Sequence, residues 1–250
     1  MYTKNYPAFD LKGSVLQEKT HIVAVENTIE LFINNILIAS ILATPEMLQE
    51  LAVGYLICEG LVKGPDSIKD LNIDGNRIYV QVEQSKHLEL WRELRSSGCV
   101  GIRWEENEDI SINSDIKFTA YSIGKSLRFL ESDIYSETHG THAACLINVK
   151  GECAAKAIDV GRHNAFDKVT GYAYLNGIDV KEHFILSTGR QSAGMVLKAA
   201  RAGIPLVATK TAPLNSGIDA ADRTGVCLVC FVSNDRMSVF SHQERLLCRL

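Results

Sequence analysis

Apolar and polar positions alternate with a period of two over residues 21–42. IVAV, TIELFIN and ILIASIL are short apolar runs, and Asn34 and Asn35 tolerate the left-handed backbone of a tight turn, so a hairpin or meander is expected there. The period then lengthens. Leu48, Leu51, Ala52, Tyr55 and Leu56 recur at helical spacing, with Thr44 as cap, Pro45 at the first helical position, Glu46 against the dipole and Gly60 as the stop. Short strands are expected near 68–73 and 77–82. The pattern lapses over 85–115, where RSSGCVGIRW and the acidic EENED predict a mobile connection.

From residue 118 the rhythm becomes one of alternating helices and strands. Residues 119–130 read as a helix, 142–149 and 154–160 as strands, and 164–175 as a helix. HFILSTG is a strand, SAGMVLKAARAG a helix, PLVATK a strand, NSGIDAADRTG a short helix, and CLVCFVS and MSVFS are closing strands. This order predicts an α/β (α+β) protein: a three-layer mixed-sheet domain over 116–250, preceded by a smaller β-rich part over 1–115. Repeats and low-complexity tracts are absent from the sequence.

Composition narrows the class. Hydrophobic residues make up 46% and charged residues 22%, as in a soluble globular protein. A net charge of −4 argues against general nucleic-acid binding. The first residues, MYTKNYPAFDLKG, lack the apolar core of a signal peptide, and no run approaches the roughly 18 apolar residues of a membrane span. Seven cysteines, an odd number without framework spacing, fit reduced thiols. A cytoplasmic protein is expected, with no membrane or nucleic-acid partner.

The densest chemistry lies in DVGRHNAFDKVTG. Arg162, His163, Asn164, Asp167 and Lys168 follow an apolar strand, and Asn164 is the expected N-cap of a helix whose apolar face holds Phe166, Val169 and Tyr172. Free N–H groups beside Arg162 and His163 suit an anion, most simply a phosphate; a charged helix start with one satisfied histidine is the plainer alternative. The STGRQS turn offers a second such seat, with Gly189, Arg190 and Ser192 at a helix start. Two seats match a pyrophosphate or a pair of phosphates. Cys99, in SSGCVG between Arg95 and Arg103, sits where a thiol is accessible and its pKa lowered, although an incidental loop cysteine fits as well. Cys227 and Cys230 are three apart in an extended strand, so they face opposite sides and do not form a metal pair. His139 and His142 flank a glycine without an adjacent third ligand, which favours hydrogen bonding, to a ligand or towards Arg162, over zinc. No protein-ligated metal is expected.

These strings together resemble the FdhD/NarQ family of formate dehydrogenase accessory sulfurtransferases. The resemblance runs from TPEMLQELAVGYLICEGL through the cysteine loop, THGTHAA, DVGRHNAFDKVTG, STGRQS and MVLKAARAGIP to the terminal RL. It implies a cytidine-deaminase-type fold for the larger domain. It also implies a role: sulfur carried from a cysteine desulfurase, as a persulfide on Cys99, to the molybdenum or tungsten bis-pterin guanine dinucleotide cofactor that apo-formate dehydrogenase requires. GDP would mimic that substrate. The resemblance adds Phe231, Val232, Ser233, Asn234, Asp235 and Arg236 to the cofactor-binding set of Arg162, His163, Asn164, Lys168, Gly189, Arg190 and Ser192. A plain Asn-Asp turn between two strands accounts equally well for 231–240. The chain departs from the family pattern in its single loop cysteine, in Gly194, in TAPL around Pro213 and in AIDVG, which lacks the family's arginine and glutamate before Asp159. A cofactor-binding chaperone that delivers without sulfurating is the alternative function. A zinc-dependent deaminase lacks its ligands, with Ala143 and Ala144 after His142 and no PCxxC. Whether the chain forms a homodimer is left open.

Overall fold

The computed structural model describes residues 1–83 and 110–248. Most of the segment expected to be a mobile connection, including Cys99, lies outside the described residues.

The chain opens with β1 (Thr3–Lys12) and β2 (Val15–Ala24), which form a two-stranded antiparallel ribbon. Sequence reading caught only its last turn of apolar residues, because the remainder mixes charges with apolar groups. The pairing register puts Phe9, Leu11, Leu16 and Ile22 on one face of the ribbon, where all four are exposed. Next come β3 (Asn27–Ile33) and β4 (Ile36–Ala43), joined by Asn34 and Asn35 at φ 49° and 66° as the turn requires. Helix α1 (Leu48–Cys58), β5 (Ile68–Asp74) and β6 (Arg77–Val82) complete a four-stranded sheet of order β4-β3-β6-β5. Alternation buries Ile29, Leu31, Ile33, Ile78 and Val80 against α1, while Phe32 and Tyr79 stack on the opposite face.

Helix α1 starts at Leu48 rather than near Thr44. Its N-cap is Met47 in the left-handed region, with no side-chain cap. Thr44 is fully buried and used elsewhere, as described below.

The second half contains β7 (Phe118–Thr119), α2 (Ala120–Lys125), a 3₁₀ segment over Ser126–Leu130, α3 (Asp133–Thr138), β8 (His142–Asn148) and β9 (Cys153–Asp159). Then follow α4 (Arg162–Leu175), β10 (His183–Ser187), α5 (Ala193–Arg201), β11 (Leu206–Thr209), α6 (Asn215–Thr224), β12 (Cys227–Cys230), β13 (Ser238–Ser241) and β14 (Leu246–Leu247). Six strands form one mixed sheet, β13-β12-β11-β10-β8-β9. Strands β10, β11 and β12 are parallel, and β9 runs with them because β8 is antiparallel to both β9 and β10. Asp159, Ser187, Thr209 and Cys230 therefore end at the same edge.

Alternation along these strands splits the core in two. One face (Ala144, Leu146, Ile185, Val207, Leu228) meets α4, α5 and α6, and the other (Cys145, Ile147, Leu186, Ala208, Val229) meets Phe118, Ile123 and Leu130. Cys227 and Cys230 are buried on opposite faces, as the strand spacing predicts. The first core runs without interruption through α1 into the four-stranded sheet, so the two halves read from the sequence share it. Helix α4 lies between the sheet and α1, which is why Asn164 to Gly171 are all buried and no single apolar stripe is visible in its sequence. Among the described residues no helix is long and apolar enough to cross a membrane.

Candidate functional site

The shared strand edge gathers the polar segments singled out in the sequence. At the start of α4 the N-cap is Gly161, and the first helical residue is Arg162. Asn164 is thus two positions inside the helix and does not cap it. Its Nδ2 donates to the Leu42 carbonyl at 2.7 Å and to Asp159 Oδ1 at 2.9 Å. Lys168 is completely buried and donates to Asp159 Oδ2 at 2.6 Å and to the Thr44 carbonyl at 2.8 Å. The Thr44 amide donates to Asp159 in turn, and the Thr44 hydroxyl accepts from the Val160 amide. Asn164 and Lys168 are consequently structural: they tie the β4–α1 junction to the end of β9. Burial presses the Lys168 amine downward, against the pull of Asp159.

A second buried cluster lies deeper. Lys198 donates to Asp167 at 2.8 Å and 2.9 Å and to Glu59 at 2.8 Å, joining α5, α4 and the end of α1. Burial raises the Asp167 carboxyl to about 6 despite Lys198. On Glu59 burial acts the same way, but Lys198 outweighs it and holds the carboxyl below its ordinary value.

Arg162 and His163 stay at the edge. A Cβ on Gly189 would come within 2.8 Å of the Arg162 Cβ and Cδ, so the glycine lets the guanidinium stem lie directly on the β10–α5 turn. The Arg162 Nε is buried without a partner. His163 is pushed down to about 4, first by burial and then by Lys198 and Arg162, so it is neutral near pH 7. His142 is also lowered, by burial and then Arg162; its Nδ1 lies 3.0 Å from the hydroxyl of Thr188, a partner other than the ligand or Arg162 expected from the sequence. Lys210 also lowers the His142 pKa, and Asp159 opposes both cations.

A base held below its unfolded pKa takes up fewer protons in the native state. The stability tied to neutral His163 is therefore present above about pH 6.5 and is lost as pH falls towards about 4. Asp167, raised to about 6, has the opposite sign, since its contribution fades as pH rises through that value. His163→Gln should accordingly flatten the acid-side loss. Urea midpoints measured near pH 7 and near pH 4.5 should differ less in the variant than in the parent; an equal difference would assign the loss to other groups.

The remaining expected residues sit at the same edge. Ser192 is the N-cap of α5 but makes no side-chain cap bond, and Arg190 is exposed. The buried Gln191 between them donates to the Ser187 hydroxyl and the Gly189 carbonyl, while its Oε1 has no partner. At the C-terminal segment the expected strand pair forms, β12 antiparallel to β13, but with shorter strands and a longer connection than the sequence suggests. Strand β12 stops at Cys230 and β13 begins at Ser238, because Phe231 adopts φ 53° and turns the chain out of the sheet, with its amide on the Thr211 carbonyl. Residues 233–236 close on themselves: the Ser233 amide donates to the Arg236 carbonyl, and the Ser233 hydroxyl donates to Asp235. Asn234, Asp235 and Arg236 are exposed. Val232, Ser233 and Asn234 line a cleft of about 580 Å³ with Leu130, Tyr135 and Lys210. Sequence reading missed Lys210 and Tyr135; only the position of Lys210 at the end of the PLVATK strand hinted at the former. Cys99 lies outside the described residues, and among those residues no group of three or more His, Cys, Asp and Glu could hold a metal ion.

At this edge the Arg162 stem lies on the β10–α5 turn at Gly189, Arg190 and Lys210 add two further cations, and a cleft adjoins. Open sheets bind ligands outside the carboxyl ends of their strands, and the cations gathered here suit an anion.

The family model described as "FdhD/NarQ family" matches residues 24–247. A relative named sulfur carrier protein FdhD from Methanothermobacter thermautotrophicus is 37% identical over 82% of this chain and 83% of its own length. Another of that name, from Wolinella succinogenes, is 31% identical over 93% of this chain and 85% of its own. A crystal structure from Desulfotalea psychrophila, titled as a candidate formate dehydrogenase accessory protein, superposes with a TM-score of 0.83 at 27% identity, covering 99% of this chain and all of that one. The chain belongs to the FdhD/NarQ family.

Proposed function

We propose that this protein is a sulfur carrier for formate dehydrogenase. In this reading Cys99 accepts a sulfane sulfur from a cysteine desulfurase and passes it to a molybdenum or tungsten bis-pterin guanine dinucleotide, which is the substrate. The observation that carries the reading is the contact of the Arg162 stem with Gly189, which brings the start of α4 against the turn that leads into α5. Two phosphates of a dinucleotide need such a pair of seats. Arg162 and Arg190 supply the guanidinium forks, and neutral His163 contributes a hydrogen bond without an additional charge. In this reading the exposed ring of Phe231, next to Val232 of the cleft, stacks on the guanine, and Asp235 accepts from its N–H edge. A deaminase-type ancestry of the 116–250 unit and a cytoplasmic location belong to the same reading.

Sulfur transfer is tested first. Incubation with a cysteine desulfurase and cysteine should add about 32 Da, one sulfane sulfur, to the chain. Cys99→Ala should abolish both this addition and activation of apo-formate dehydrogenase while the fold persists. An alanine variant that still activates the dehydrogenase would rule out the carrier role of Cys99. Guanine-nucleotide binding without any added sulfur would favour the delivery chaperone.

Nucleotide binding is tested separately by titration with GDP. Arg162→Ala and Arg190→Ala should each weaken binding by roughly 1.5–3 kcal/mol, the range for a charged hydrogen bond. Asp235→Ala and Arg236→Ala should weaken it less, since both sit on an exposed turn. Equal affinity for ADP would remove the guanine assignment. Unchanged GDP affinity in both turn variants would return 233–236 to an ordinary turn.

A further inference from the structure

We propose that the β1–β2 ribbon is a dimerisation arm, whose apolar face packs on the same face of the ribbon of a second copy of this chain about a twofold axis. Residues 11–20 are exposed without exception, so the outer half of the ribbon projects from the described body. Its root is fixed. The Val25 amide donates to the Tyr2 carbonyl at 2.9 Å, and a Cβ on Gly140, just past α3, would lie 3.3 Å from that of Ala24. The register sorts the side chains by face. Phe9 pairs with Glu18, Leu11 with Leu16 and Asn5 with Ile22, so Phe9, Leu11, Leu16 and Ile22 share one face, with Glu18 as its only ionisable group. Lys4, Asp10, Lys12, Lys19 and His21 share the other, where His21 lies 2.7 Å and Lys19 3.5 Å from Asp10. One face is thus built for water and the other is not.

Stability, area and charge identify the occupant. Phe9, Leu11 and Leu16 are 69%, 68% and 64% exposed and Ile22 39%. At those fractions the four side chains present roughly 400 Å² of apolar surface, a patch of the size that marks an interaction site. An isolated two-stranded ribbon is at best marginally stable in water. Its apolar face must therefore stay covered throughout the life of the protein, and a second copy of the chain is the occupant that is always present.

Each strand has 10 residues, which makes the ribbon about 34 Å long and about 10 Å wide. Two such faces laid together bury roughly 1,000 Å² of accessible surface in total, enough for a specific interface. Charge agrees with self-association. With Glu18 as the lone ionisable group, two copies of this face meet without a row of like charges, whereas packing on the opposite face would desolvate five charged groups on each arm.

The test is light scattering on the full-length chain at micromolar concentration, in the parent, in the double variant Phe9→Glu with Leu16→Glu, and in Val15→Glu. Val15 is exposed at the same tip but on the charged face. The parent should scatter at twice the mass of the chain, and Val15→Glu should do the same. The double variant should scatter at the mass of one chain, its dimer weakened about a hundredfold or more by carboxylates placed in an apolar contact. Amide exchange should quicken over 3–24 in the double variant and stay unchanged over β3 and β8, which separates loss of the dimer from loss of the fold. Phe9→Ser with Leu16→Ser repeats the test without added charge and should weaken the dimer in the same direction. A monomeric parent overturns the proposal. So does a dimer that survives both double variants, or one that Val15→Glu dissociates as readily, since either result places the contact off this face.

Discussion

Asp159→Ala should lower the unfolding free energy by about 3–5 kcal/mol, the cost of leaving a buried charge without its partner. Asp159 and Lys168 are both fully buried, 2.6 Å apart. The carboxylate also accepts from the Thr44 amide, the Gly161 amide and Asn164. Alanine therefore strands one ammonium and three further donors in a place water does not reach. The penalty reflects loss of one partner rather than the worth of the pair, and this distinction can be measured. Asp159→Leu combined with Lys168→Met removes both charges and should recover a substantial part of the loss. Urea denaturation followed by circular dichroism gives both values. A loss below about 1 kcal/mol in Asp159→Ala, the size typical of exposed sites, would show that the network is solvated.

That network also explains where sequence reading misplaced element ends. Thr44 and Asn164 are residue types that cap helices, and each stands just ahead of an apolar helical repeat. Local pattern therefore assigns them to caps. In the fold they are partners of Asp159, and Thr44 and Asp159 are 115 positions apart. A contact that distant leaves no periodic trace. The alternation of β3 and β4, the Asn34-Asn35 turn and the strand–helix order after residue 118 were legible because neighbouring residues determine them. Helix α4 was visible as a helix, but its burial on two sides was not, because Asp167 and Lys168 imitate a solvated face. Phe231 turned the chain out of the sheet at a position that reads as a continuing strand, and only its positive φ reveals this. The polar segments were legible as a set because the β–α turns that carry them are short polar strings, and topology then brought those turns to one edge. What the strings could not distinguish was which charges stay at the edge and which pair inside: Arg162 and His163 remain at the edge, whereas Lys168 turns inward to Asp159.

Substitution of Gly54 should separate α1 from α4 and, through α4, disturb the edge. A Cβ on Gly54 would lie 1.8 Å from the Asp167 carbonyl oxygen, and one on Gly171 would lie 1.9 Å from that of Glu50. The two helices thus cross backbone to backbone, each glycine seated on one turn of the other. The obstacles are main-chain atoms, which cannot rotate away as a side chain does. Alanine gains about 1 kcal/mol in helix propensity over glycine, but overpacking at this distance costs about 3 kcal/mol, so Gly54→Ala should lose about 2 kcal/mol net. Gly54→Val should lose about 4 kcal/mol, as the added methyls meet the same backbone and the propensity gain shrinks. Gly64→Ala is the control, for a Cβ there meets nothing within 4 Å and the backbone is extended. Because α4 carries Arg162 at its first position, a displaced α4 lifts the guanidinium from Gly189. GDP affinity should therefore fall with stability in the Gly54 variants and remain unchanged in Gly64→Ala. Gly54→Val retaining parental stability would mean that the helices cross farther apart than this, and retaining GDP affinity alone would uncouple the crossing from the edge.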